Sequence, residues 1–153
     1  MQTYDVNSIP PERRITTSRF VPFSPQQVFL AFRDPSVLAK WWGPEGFTNS
    51  FSEFQFQADG IWRFTMHSPE GKDFPNESRF VEIVEPSLIV VDHESAPRFR
   101  LILTIDQCDG GCRVGWCMVF DDSKACSNVA KFAGDANEQN LDRLVATLSG
   151  ETT

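Results

Sequence analysis

The side chains best suited to chemistry in this sequence are two histidines, four cysteines and a few charges embedded in apolar strands. His67 and His93 are the only imidazoles. Arg79, Glu82 and Glu94 are the charged strand residues placed to point inward. A buried carboxylate beside a histidine would have a shifted pKa and could move a proton. Alternation with Trp62, Phe64 and Met66 turns His67 outward. His93 follows Ile89 and Val91 on a stretch apolar on both faces, so its direction stays open. Solvated strand edges and structural ion pairs are the commoner fate of such groups.

The cysteines stand at 108, 112, 117 and 126. None has the spacing of a zinc or redox pair, and two histidines do not complete a metal set. No metal and no cofactor is expected. Cys108 and Cys112 flank the turn signal Asp109-Gly110-Gly111 and could face each other across it, although four unpaired, small, apolar thiols is the plainer expectation. The chain has no GxSxG, no phosphate-binding glycine loop and no HExxH. An enzyme is therefore the weaker expectation, and it would have to work through pocket electrostatics.

Aromatic residues give a stronger pattern. Trp62, Phe64 and Met66 share one strand face, and Trp116 and Met118 share another. With Trp41, Trp42, His93, Leu101, Phe132 and Leu141 they form the candidate lining of a small-molecule cavity, which is usually walled by such side chains. Ordinary core packing explains any single one of them equally well. Phenylalanine outnumbers tyrosine 14 to 1, so a cavity lined this way suits an apolar or weakly polar ligand. Trp41 and Trp42 are adjacent in a helix, so their rings point about 100° apart. One belongs in the core, and the other at a pocket mouth or a dimer surface.

The elements that position these residues are legible in turn. Residues 1–12 are polar, end in Pro10-Pro11, and read as a flexible arm before a single domain over residues 13–150. Arg14 to Val21 reads as a strand. Ser24-Pro25-Gln26-Gln27 is a capping box with proline at the first helical position, and Phe23 and Val28 can staple it. Pro35 ends that helix and Asp34 caps the next, which Gly43-Pro44 stops. From residue 48 the period becomes two, giving a hairpin about Asp59-Gly60. A longer loop is marked by Pro69, Gly71 and Pro75. Strands are then expected at 79–85, 88–94, 99–106 and 112–120, with Gly115 marking a bulge or a close approach. Ser123 to Leu148 returns to helical spacing over about 38 Å, with a kink or second cap at Gly134-Asp135. Strands grouped between helices indicate α+β. A sheet of about seven antiparallel strands must curl, and the long helix is its natural cover.

The formal charge of -7, with 14 basic and 21 acidic residues, excludes the cationic surfaces that hold nucleic acid or anionic lipid. No apolar run approaches the ~20 residues of a bilayer span. Met1-Gln-Thr-Tyr-Asp-Val-Asn lacks the basic start and apolar stretch of a signal peptide, so a cytoplasmic location is expected.

This element order, with the text SRFVPFSPQQVFLAFRDPSVLAKWWGPEGFTNSF from Ser18 to Phe51, resembles the START-like (Bet v allergen-like, SRPBCC) helix-grip superfamily. Within it the chain is similar to homologues of the C-terminal domain of the activator of heat-shock protein 90 ATPase. DGIWRFTMHSPEGKDFPN (59–76), VEIVEPSLIV (81–90) and NLDRL (140–144) extend the likeness; the Trp-Trp-Gly-Pro after an Asp-Pro helix start is its most specific part. Many relatives carry a second glycine where Ile61 stands, which implies a tighter turn or narrower mouth here. The resemblance implies a curved sheet gripping a long C-terminal helix around an internal cavity, and a small hydrophobic or aromatic ligand as partner. It also implies two alternatives: a chaperone-associated interaction protein, or a cyclase- or hydrolase-type enzyme. A homodimer is compatible with a domain of this type.

Overall fold

The computed structural model describes residues 5–150. β1 (Arg14–Val21) leads into α1 (Pro25–Arg33) and α2 (Pro35–Trp41). β2 (Thr48–Phe54), β3 (Ile61–His67), β4 (Asp73–Val84), β5 (Leu88–His93), β6 (Phe99–Cys108) and β7 (Gly111–Val119) follow, and α3 (Ser123–Leu148) closes the chain. All seven strands form one antiparallel sheet in the order β1-β7-β6-β5-β4-β3-β2. This is the α+β helix-grip architecture, with α3 across the inner face.

Local chemistry accounts for the helix boundaries. Ser24 accepts the Gln27 N–H while the Gln27 side chain accepts the Ser24 N–H, closing the capping box. Asp34 ends α1 and caps α2 through the Ser36 N–H. α1 and α2 bury Val28, Phe29, Phe32, Leu38 and Trp41 against the sheet. Asp122 caps α3 through the Lys124 N–H.

The inner sheet face carries the alternating residues expected of it. Leu101, Leu103 and Ile105 on β6 and Val114, Trp116 and Met118 on β7 belong to one core with Leu141 and Leu144 of α3. A smaller cluster lies on the outer face, where Val90, Ile102 and Cys117 are joined by Val6 and Ile9. Within the segment read as an arm, residues 6–8 and 11–13 make two short 3-10 turns, while residues 1–4 of it lie outside the described residues. At Gly115 a Cβ would stand 2.3 Å from Thr104 Oγ1 on β6, its cross-strand neighbour, so the glycine is the close approach its mid-strand position suggested.

Some boundaries differ from expectation. β4 begins at Asp73, and Pro75 lies inside it instead of in a loop. The reason is position: residue 75 pairs only with Thr65 of β3, because β5 starts to pair at Ser78, so β4 has a free side here. No second cap interrupts the helix at Gly134-Asp135, and α3 runs continuously through it. Glycine inside a helix costs about 1 kcal/mol, which the buried stripe of Val129, Ala133, Leu141 and Leu144 outweighs. Cys108 and Cys112 do not pair; the register sets Cys108 opposite Gly111 and Cys112 opposite Gln107, and all four thiols are free.

Candidate functional site

Between the inner sheet face and α3 lies a hollow of about 560 Å³. β3 gives it Trp62, Phe64 and Met66, β6 gives Leu101, and β7 gives Trp116 and Met118. His93 of β5, Trp42 from the end of α2, and Phe132 of α3 complete the expected residues in the wall. Phe132, 65% exposed, stands at the rim with Phe74. Trp41 and Leu141, expected in the lining, are not in it. Both are fully buried, and the Trp41 indole N–H donates to Ala31 O at 3.1 Å inside the core. Ile61 also takes no part in the wall.

The adjacent tryptophans divide as their 100° separation requires. Trp41 packs edge-on to Phe32 at 4.9 Å between centroids. Trp42 stacks on Trp116 at 5.3 Å and meets Trp62 edge-on at 5.0 Å. Its position is fixed by α3. Asn140 Nδ2 donates to Trp41 O at 3.0 Å, and its Oδ1 accepts the Gly43 N–H at 3.1 Å. Arg143 Nη1 donates to the carbonyls of Trp42, Gly43 and Pro44, and Nη2 to those of Lys40 and Phe47. Burial holds this guanidinium below its ordinary pKa, opposed by nearby Glu45. Two residues of α3, a turn apart, therefore clamp the Trp-Trp-Gly-Pro segment over the hollow.

Polar groups in the wall are few. His93 points inward: its cross-strand neighbours Ser78 and Phe99 also line the hollow, and its ring lies on Phe99 at 4.7 Å and 15°. Nδ1 faces Pro97 O at 2.8 Å and Nε2 faces Asn76 Oδ1 at 2.6 Å. Burial lowers its pKa, partly offset by hydrogen bonds to the backbone at Pro97 and Ser95. Of the other residues considered for acid–base work, Arg79 and Glu94 pair with each other at 3.6 Å, and neither they nor Glu82 lines the hollow. Glu82 pairs with Val90, an outer-face residue, across a bulge. His67 sits between Ser50 and Asp73, turned away from Trp62 and Phe64 as alternation required. No group of three or more potential metal ligands occurs among the described residues. No helix among them is long and apolar enough to cross a membrane.

Several wall residues escaped sequence reasoning. Asn76 and Ser78 lie ahead of Arg79, where the sequence pattern begins the strand, but inside β4 as it folds. Asn137 and Asn140 carried a usable signal: they interrupt the stripe Val129, Ala133, Leu141, Leu144 with amides, and both are buried. A polar side chain on the buried face of a helix needs partners inside.

Residues 22–149 match the family of Activator of Hsp90 ATPase homolog 1-like proteins. The chain belongs to that family. Solved structures support the same fold. A Nitrosomonas europaea protein superposes with a TM-score of 0.85 at 17% identity, covering 93% of this chain and 97% of that one. The AHSA1 protein from Silicibacter pomeroyi gives 0.72 at 18% identity, covering 89% and 97%. The AHSA1-like protein from Aeromonas hydrophila gives 0.72 at 15%, covering 90% and 92%. At such identities the likeness extends to the fold alone. No curated protein sequence matches the chain.

Proposed function

We propose that this domain binds a small hydrophobic or aromatic molecule between its sheet and its C-terminal helix. The observation that carries the reading is the 560 Å³ hollow, whose wall holds three tryptophans and no lysine or arginine. Its volume falls within the roughly 300–1,000 Å³ of small-molecule sites, and its rings offer stacking surfaces to a flat ligand. A neutral fluorescent probe, N-phenyl-1-naphthylamine, tests it. Saturable one-site binding to the native protein is expected, together with its loss in Ala133→Trp, which fills the hollow from α3. Binding that does not saturate, or that Ala133→Trp leaves intact in a folded protein, overturns the reading.

A second reading, chaperone association, rests on the family's description and on the exposed rings at the rim, Phe74 at 44% and Phe132 at 65%. Nucleotide-dependent capture of heat-shock protein 90, lost in a Phe74→Ser, Phe132→Ser double variant, would favour it. Capture of nothing, or capture indifferent to nucleotide and to the rim, would dismiss it.

A further inference from the structure

The wall of the hollow contains a small number of polar side chains that the protein itself leaves unserved. Ser78 is 3% exposed and lines the hollow, and its Oγ has no hydrogen-bond partner among the described residues. It occupies the centre of a row running across four strands: Trp62 of β3 pairs with Ser78 of β4, Ser78 with His93 of β5, and His93 with Phe99 of β6. All four line the hollow. Adjacent strands lie about 4.8 Å apart, so the Ser78 hydroxyl emerges between an indole and an imidazole. On the opposite wall Asn137 of α3 is 8% exposed. Its Nδ2 meets only Met118 Sδ at 3.5 Å, a weak acceptor, and its Oδ1 has no partner among the described residues.

A hydroxyl and an amide that open into an apolar hollow without a protein partner are unfavourable there, and Trp62 in the same wall adds a buried indole N–H with no partner. They are retained without penalty where something else supplies the missing hydrogen bonds. The hollow gives no counter-charge to an ionic ligand. Its titratable wall residues are His93, whose two nitrogens already face Pro97 O and Asn76 Oδ1, and Asp73, whose carboxylate lies against His67. An anion would forfeit its hydration against a wall with no lysine or arginine, and a cation would find its only carboxylate engaged.

We infer that Ser78 and Asn137 form a polar subsite that selects an uncharged aromatic or alicyclic ligand bearing a hydroxyl, ketone or amide group. This rests on the reading of the hollow as a binding site and adds to it what that site discriminates. A serine hydroxyl and a carboxamide each donate and accept, so the subsite serves a phenol or alcohol as well as a carbonyl. A site built around such groups rejects the analogue that lacks the polar atom, because its own groups are then stranded.

Displacement of N-phenyl-1-naphthylamine by 2-naphthol and by naphthalene, which differ only in the hydroxyl, tests the inference. The native protein is expected to prefer 2-naphthol by about tenfold or more, the size of one well-made hydrogen bond. Ser78→Ala and Asn137→Leu, each checked by thermal melting, are expected to weaken 2-naphthol and spare naphthalene, so that the preference falls below about threefold in at least one. Equal affinity of the native protein for both compounds overturns the inference. So does a preference that survives in both folded variants. Failure of the fluorescent probe to bind at all brings down the underlying binding reading, and this inference with it, and is thereby told apart from a hollow that binds without discriminating.

Discussion

The Asn140 side chain brackets Trp42 from both directions along the chain: its oxygen accepts the Gly43 N–H at 3.1 Å, and its amide donates to Trp41 O at 3.0 Å. Trp42, between those two contacts, is thereby delivered to its stack on Trp116. The helix holds the end of α2 and the connection to β2 here through their backbone atoms, which makes the hold insensitive to the rings it positions.

Asn140→Ala is expected to destabilise the domain by about 1–3 kcal/mol, since Asn140 is 5% exposed and its loss strands a donor and an acceptor. Urea denaturation measures the energy. Amide exchange gives the local signature: the Gly43 N–H should exchange much faster in the variant, with β6 and β7 amides slowed or hastened only in step with global stability. Unchanged Gly43 protection would mean that the loop holds itself.

Gly43 itself sits at φ +99, and a Cβ there would lie 2.7 Å from Met66 Cε. Gly43→Ala should therefore destabilise, and the two causes can be separated. The end of a methionine side chain yields readily, whereas left-handed backbone costs an L-residue roughly 1–2 kcal/mol however much room it has. In a double-mutant cycle with Met66→Ala the coupling should stay under about 0.5 kcal/mol. Coupling that restored most of the loss would show that crowding, not backbone conformation, requires glycine.

Much of this architecture was legible because local signals agreed. The capping box at Ser24, the Asp34-Pro35 restart, and the period of two on β3, β6 and β7 each admitted one reading, and tertiary packing did not contradict them. Two places resisted. On β5, Ile89 and Val91 face the core while Val90 packs outward into a second cluster, so the alternation that would have aimed His93 was erased by burial on both sides. On β4, Pro75 reads as a breaker, and only the absence of a partner on one side of the strand makes it tolerable. An expected start at Arg79 also leaves out Asn76 and Ser78. Composition does not say which of two adjacent rings a helix turns inward, so Trp41 and Trp42 enter the expected lining together.

Thiol reactivity should single out one cysteine. Cys112, Cys117 and Cys126 are buried, and burial pushes all three thiols above their ordinary pKa, whereas Cys108 is exposed. Since the thiolate is the reactive species, a disulfide reagent at pH 8 should modify Cys108 at once in the native protein and the others only on unfolding. Cys108→Ser should abolish the fast phase. A second fast thiol would indicate that β7 or the start of α3 opens locally.

His93 makes stability depend on pH in a direction that can be stated. A neutral ring carries one N–H, so it can donate to Pro97 O or to Asn76 Oδ1 but not to both. Protonation would satisfy both carbonyls, yet desolvation outweighs the gain and the folded pKa lies below the ordinary value. Between that depressed value and about 6.5 the unfolded chain holds more of the proton, so stability rises with pH there. The contribution is fully present above about 6.5, diminishes as the pH falls, and stops changing once the pH is below the folded pKa. His93→Gln should flatten this part of the profile in urea melts between pH 5 and 7, and the ring resonances of the native protein should titrate below those of an unfolded peptide. If His93→Gln leaves the slope as it was, the ring binds its proton equally in the folded and the unfolded chain, and the two carbonyls fully offset burial.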